Sequence, residues 1–236
     1  MSTSTPGARS TASRPIDLEY PDRDGKPTSD NTLQFKWIVT IKEGLEALFR
    51  NDPDVFIAGD LLWYPVLGSP KIRTAPDALV AFGRPKGYRG SYKQWEEAGV
   101  APQVVFEVLS PGNTKAELRR KFEFYETHGV EEYYIYDPDH GTLEGWIRGD
   151  HGLNPNRPID GFTSPRLGVT FHPGAGRDDL RIIGPDGRAF PAILDLFIDR
   201  DAERERADAE HRRAEEEHAR AERLAARLRE LGLDDV

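Results

Sequence analysis

The chain has 236 residues, 37% of them hydrophobic, and a net charge of −9, which suits one globular domain of about 150–170 residues with non-globular flanks. There is no cysteine, so disulfides and thiolate metal sites are excluded and a cytoplasmic location is the expectation. No apolar run approaches the roughly 18 residues of a membrane span, and the acidic balance argues against a general nucleic-acid coat.

Residues 1–30 are rich in Ser, Thr, Pro, Asp and Gly and lack the apolar core of a signal peptide, so they read as a disordered arm. A helix is expected from about Asn31 to Arg50, with Phe35, Ile38, Ile41, Leu45 and Leu48 as an apolar stripe. Asn31 or Thr32 can cap it. Glu43 and Glu46 lie off the middle of that stripe, either solvated or leaning over a sheet edge. Val55–Tyr64 is apolar and β-rich with Asp60 inside it, and Pro65, Gly68 and Pro70 end it. Pro76-Asp77 then opens a compact strand through Phe82. Gly83 to Tyr92 is a polar, glycine-containing loop of a length that often binds something.

The segment from Pro102 to Pro138 organises the rest. Gln103–Leu109 is a buried-strand pattern that carries Glu107, and a carboxylate in such a strand costs several kcal/mol unless it is paired. Ser110-Pro111-Gly112-Asn113 breaks the strand, and Asn113 or Thr114 can cap a helix with Leu118, Phe122 and Tyr125 on one face. Gly129 ends it, and Val130–Tyr136 is a second strand. That order is the spacing of a crossover between parallel strands. A meander follows: a strand at Leu143–Arg148, a loop over 149–165, a strand at Leu167–Phe171, and a hairpin around Gly184-Pro185-Asp186-Gly187. The whole predicts an α/β domain over 31–195. Residues 196–236 turn to Ala, Glu and Arg; Ala207, Ala214, Ala221 and Leu228 recur every seven residues. A long helix or coiled coil is expected there, with self-association through it or through the core open beside a single charged helix.

Five Pro-Asp pairs occur, so the dipeptide alone means little, but only Asp77 directly opens an apolar strand run. Asp77, Glu107 and a main-chain carbonyl such as that of Val108 form an oxygen-ligand set for Mg²⁺ or Mn²⁺. Lys121, on the next helix, can steady an attacking water or the charge of a transition state. Asp60, Glu43 and Glu46 are second-tier candidates for metal contact. Between Lys71 and Lys121, ten bases against five acids leave +5 there and −14 elsewhere, which reads either as scattered surface charge or as a basic rim for a polyanion.

The blocks RTAPDALVAFGRP, PQVVFEVLSPGNT and YETHGVEEYYIYDP, with the helix holding Lys121, resemble the PD-(D/E)XK nuclease superfamily and, within it, the Uma-two family of restriction endonucleases. The resemblance spans about residues 31–195 and extends to the Ala–Arg–Glu tail. It implies a restriction-endonuclease-like core, a central mixed sheet flanked by helices, with Mg²⁺-dependent hydrolysis of DNA phosphodiesters. Asp77, Glu107 and Lys121 are then catalytic, and Lys86, Arg89, Arg119 and Arg120 are candidates for phosphate contact. One departure stands out: the superfamily pattern places lysine two residues after the acid, where this chain has Leu109. The competing expectation is a nuclease fold that no longer cuts and acts as a binding or interaction module through its tail.

Overall fold

Helix α1 (Thr32–Leu48) forms where its pattern predicts, but a different face is buried. Gln34, Trp37, Thr40, Ile41, Gly44 and Leu45 face the core, whereas Phe35 is 59% exposed. Two apolar stripes compete on this helix and share Ile41 and Leu45. The winning stripe contains Trp37, whose indole N–H donates to Asp178 at 2.6 Å. It also contains Gly44, where any side chain would collide with the ring of Phe190.

This computed structural model describes Tyr20, residues 32–191 and, in the tail, residues 204–206, 208–218, 220, 221 and 223. After α1 come β1 (Val55–Ala58), β2 (Trp63–Tyr64), β3 (Ala78–Phe82), β4 (Tyr92–Lys93) and β5 (Val104–Val108). Then follow α2 (Lys115–Thr127), β6 (Glu132–Asp137), β7 (Thr142–Gly149), β8 (Gly152–Pro155), β9 (Phe162–Thr163), β10 (Thr170–Pro173) and β11 (Leu180–Ile183). Six strands form a mixed sheet in the order β1-β3-β5-β6-β7-β8. Only β5 and β6 run parallel in it, joined by α2, and its other neighbours are antiparallel.

The period-2 alternation of the strands divides the core between two faces. On one face, α1 and the three-stranded sheet β11-β10-β9 bury Trp37, Ile41, Leu45, Phe106, Tyr134 and Phe171. On the other, α2 and the two-stranded sheet β2-β4 bury Tyr125, Trp63, Tyr92, Val105 and Tyr133. Helix α2 starts at Thr114, whose hydroxyl accepts from the Glu117 N–H at 3.2 Å. It is followed by Gly129 at φ 92°, a left-handed turn that sends the chain back into β6.

The structure departs from the expected elements in three places. The strand read over Val55–Tyr64 breaks after Ala58, because Asp60 takes φ 47° and its N–H turns to the Pro76 carbonyl at 3.1 Å. The loop read over 149–165 contains β8 and β9, short strands whose polar sequences hide them. The described tail residues are helical over short runs and exposed except for Ala209, so they do not support a long helix or coiled coil. The arm read over 1–30 lies outside the described residues except for Tyr20, which packs on Tyr64 and Trp95 with ring centroids 5.3 and 4.9 Å away. Among the described residues no helix is long and apolar enough to cross a membrane.

Candidate active site

Glu107 is the centre from which the site is built. It lies in β5, every residue of which is buried, and is itself 3% exposed. Such a carboxylate requires partners, and α2 supplies them. Lys121 Nζ donates to Glu107 Oε2 at 2.7 Å, and the Tyr125 hydroxyl donates to Oε1. The two donors stand four residues apart, which places them on one side of the helix. Asp77 enters from the neighbouring strand. Ala78 pairs with Phe106 in antiparallel register, so Asp77 and Glu107 are next in line at that end of the sheet. Asp77 Oδ2 accepts from the Val108 N–H at 2.6 Å. The Val108 carbonyl accepts from Gln34 Nε2 of α1 at 2.8 Å. Val108 is thus held through both its main-chain groups, its N–H by Asp77 and its carbonyl by Gln34.

The electrostatics follow from burial and these charges. Burial opposes the Lys121 ammonium, but the carboxylates of Glu107 and Asp77 outweigh it and raise its pKa above the ordinary lysine value. Lys121 is therefore a cation at neutral pH. Burial, and then the charge of Glu107, push the Tyr125 hydroxyl well above the usual tyrosine range, so it keeps its proton and acts as a donor. Tyr133, packed on Tyr125 with centroids 4.9 Å apart, is raised by burial and by Glu107 and Asp77.

The donor set also bears on a metal. Asp77, Glu107 and the Val108 carbonyl are all hard oxygen donors, the chemistry Mg²⁺ and Mn²⁺ take with water completing the shell. Among the described residues no cluster of three His, Cys, Asp or Glu side chains could hold a metal, so a cation here would be held by two carboxylates and the carbonyl. The residues fit that group.

The family model Uma2, described as "putative restriction endonuclease", matches residues 25–175 and so spans Gln34, Asp77, Glu107 and Lys121. The chain belongs to the Uma2 family. That membership places it among nucleases. Among solved structures, a "putative nuclease belonging to DUF820 from Anabaena variabilis" is similar at 15% identity with a TM-score of 0.43, covering 58% of this chain and 73% of that one. No curated protein matches.

Within this Uma2 chain, Leu109 stands where the superfamily pattern has lysine. Its N–H is taken up by the Tyr136 carbonyl at 2.8 Å, continuing the sheet, and it is Lys121 from α2 that reaches Glu107. Asp60 is exposed but lies beside Asp77 through its backbone bond to Pro76. Glu43 and Glu46 are not brought to the site. The rotation of α1 turns them outward, where Glu43 meets Lys42 at 2.9 Å and Glu46 meets Lys86 at 3.1 Å.

Lys86 and Arg89 are separated from the site too. Their loop follows the far end of β3, and five strand residues span about 17 Å. The Arg89 Nε donates to Glu97 Oε1 at 2.5 Å and its Nη2 to Oε2 at 3.0 Å, and its guanidinium covers Phe56. Arg119 and Arg120 sit on the exposed side of α2, Arg119 paired with Glu123 at 3.0 Å.

Gln34 and Thr74 escape a reading of the sequence alone, and Tyr125 is legible there only as an apolar face residue. Thr74 presents its hydroxyl to that of Tyr125. Gln34 carries no signal of its own, because it is a polar residue in the buried stripe of α1 only once Trp37, not Phe35, is known to face the core.

Proposed function

We propose that the chain is a metal-dependent endonuclease that hydrolyses phosphodiester bonds of DNA, with water attacking in line with the leaving oxygen. Support comes from the meeting of Lys121 and Glu107 at 2.7 Å beside Asp77, at the end of a buried strand in a chain of the Uma2 family. Asp77, Glu107 and the Val108 carbonyl would hold Mg²⁺ or Mn²⁺. The chemistry such an ion supplies is a bound water of lowered pKa and neutralisation of charge on the phosphate. Lys121, kept protonated by its two carboxylate neighbours, offers a fixed positive charge to a developing phosphorane oxygen. Tyr125 and Gln34 hold Glu107 and the Val108 peptide in place.

A second reading, a nuclease fold that binds without cutting, rests on Leu109 in the lysine position. Plasmid nicking in Mg²⁺ or Mn²⁺, comparing the natural chain with Glu107→Ala, separates the two. The expected result is cleavage by the natural chain and a rate lower by about a thousandfold in the variant. Cleavage by neither would remove the enzyme reading, and equal cleavage by both would mark a contaminant.

A further inference from the structure

The described residues expose five large hydrophobic side chains, and three of them, Val66, Leu67 and Ile72, fall within the nine residues 65–73. Leu67 is the most open of these, at 66%. This stretch is a hairpin closed at its base by reciprocal bonds between Trp63 and Thr74, Trp63 N–H to the Thr74 carbonyl at 2.8 Å and Thr74 N–H to the Trp63 carbonyl at 3.3 Å. Its base is part of the candidate active site, since the Thr74 hydroxyl meets that of Tyr125 and the Trp63 ring lies parallel to that of Tyr125, with centroids 6.3 Å apart.

The hairpin is held in one shape. Ser69 N–H bonds the Val66 carbonyl at 3.3 Å, Ile72 N–H bonds the Ser69 carbonyl at 2.9 Å, and Gly68 N–H is received by the Tyr20 hydroxyl. Arg73 is fixed over Tyr64, donating to its hydroxyl at 3.3 Å. In a chain of net charge −9 the segment PVLGSPKIR holds no acid and two bases, of which Lys71 is exposed.

An exposed apolar tip flanked by bases suits a groove of a nucleic-acid duplex. Leu, Ile and Pro side chains wedge between base steps from the minor groove, while Lys contacts phosphate. We propose that hairpin 65–73 docks the chain on duplex DNA, with Leu67 and Ile72 against the groove and Lys71 on a flanking phosphate. The inference rests on the nuclease reading of the same site.

Fluorescence anisotropy of a labelled duplex, in EDTA and again in Ca²⁺ over a range of salt, tests it with the full chain. One phosphate contact carries a salt slope of about 0.9, a factor of about eight at 0.1 M salt. Lys71→Gln should weaken binding by about that factor and lower the slope by about one. Leu67→Ser should weaken it about tenfold with the slope unchanged. Tyr88→Ser, on a 96% exposed residue of the loop at the far end of β3, should change neither. If the natural chain binds and both hairpin variants bind equally well, the docking role fails while the nuclease reading stands. If the natural chain binds no duplex under either condition, the nuclease reading itself fails. A loss of self-association in the variants, by sedimentation, with unchanged DNA binding would assign the patch to protein contact and overturn the proposal.

Discussion

Two glutamates are buried in adjacent strands of the same sheet, and their surroundings differ in kind. Glu132 of β6, 1% exposed, is received by neutral donors: Tyr134 hydroxyl at 2.8 Å, Arg166 N–H at 2.7 Å and Ser164 hydroxyl. These donors tie the turn before β10 to the main sheet, and no cation faces the carboxylate among its described hydrogen bonds. Glu107 of β5 lies under α2 with a lysine and a tyrosine on it and a second carboxylate in the next strand. A carboxylate closed by neutral hydrogen bonds is structural. One that shares a partly accessible lysine, 20% exposed, with a neighbouring acid keeps a charge available for chemistry.

Substitution at the two positions should break in opposite ways. Glu107→Gln, close in shape and so the companion to Glu107→Ala, should lower cleavage by about a thousandfold while the chain still folds. Glu132→Ala should leave three donors without an acceptor, the Tyr134 and Ser164 hydroxyls among them buried, and cost about 3 kcal/mol of stability. Urea titration monitored by far-UV circular dichroism reads the second effect, and residual cleavage per folded molecule should be near normal. A Glu132 variant that folds as well as the natural chain yet fails to cut would reverse the assignment of the two acids.

A third carboxylate sharpens the criterion. Glu97 is held by Arg84 at 3.0 Å and by Arg89 at 2.5 Å, at the end of β3 away from Asp77. The Arg89 hydrogen bond leads the causes that lower its pKa below the ordinary 4.5. A carboxylate lowered on folding contributes stability above its unfolded pKa and loses it as pH falls through the folded one. Glu97→Gln should therefore cost about 2 kcal/mol at neutral pH, and the gap to the natural chain should close as pH drops below about 4.5. Melting temperatures between neutral pH and pH 3 measure this, and a gap that stays constant would rule out the ionic origin. Cleavage should be unaffected at neutral pH, because this cluster lies past the end of β3 opposite Asp77.

The same contrast explains how much was legible in the sequence. The β5–α2–β6 unit could be read because period, cap and glycine agree along one local segment, and Asp77 and Glu107 stood out as acids at apolar strand runs, with Lys121 following on the next helix. The role of Gln34 could not be read, since the choice between the Phe35 and Trp37 stripes depends on Asp178 and Phe190, more than a hundred residues away. Arg89 and Lys86 could not be told from phosphate contacts by charge alone, because only the fold reveals Glu97 and Glu46 as their partners. The exposed tip of hairpin 65–73 read merely as the end of a strand.

The smallest effect tests whether Glu107 is only present or also held in position. Tyr125→Phe keeps the ring that packs against Trp63 and Tyr133 and removes one donor to Glu107 Oε1. Stability should fall by only about 1 kcal/mol, because the ring stays buried. With the carboxylate freed on one side, kcat should drop by up to about tenfold with KM little changed, as for an interaction that serves the transition state more than substrate binding. Mn²⁺ affinity, read by titration calorimetry, should weaken in parallel. A variant that loses stability but cleaves and binds Mn²⁺ like the natural chain would make Tyr125 a packing residue, and Glu107 would then be oriented by Lys121 alone.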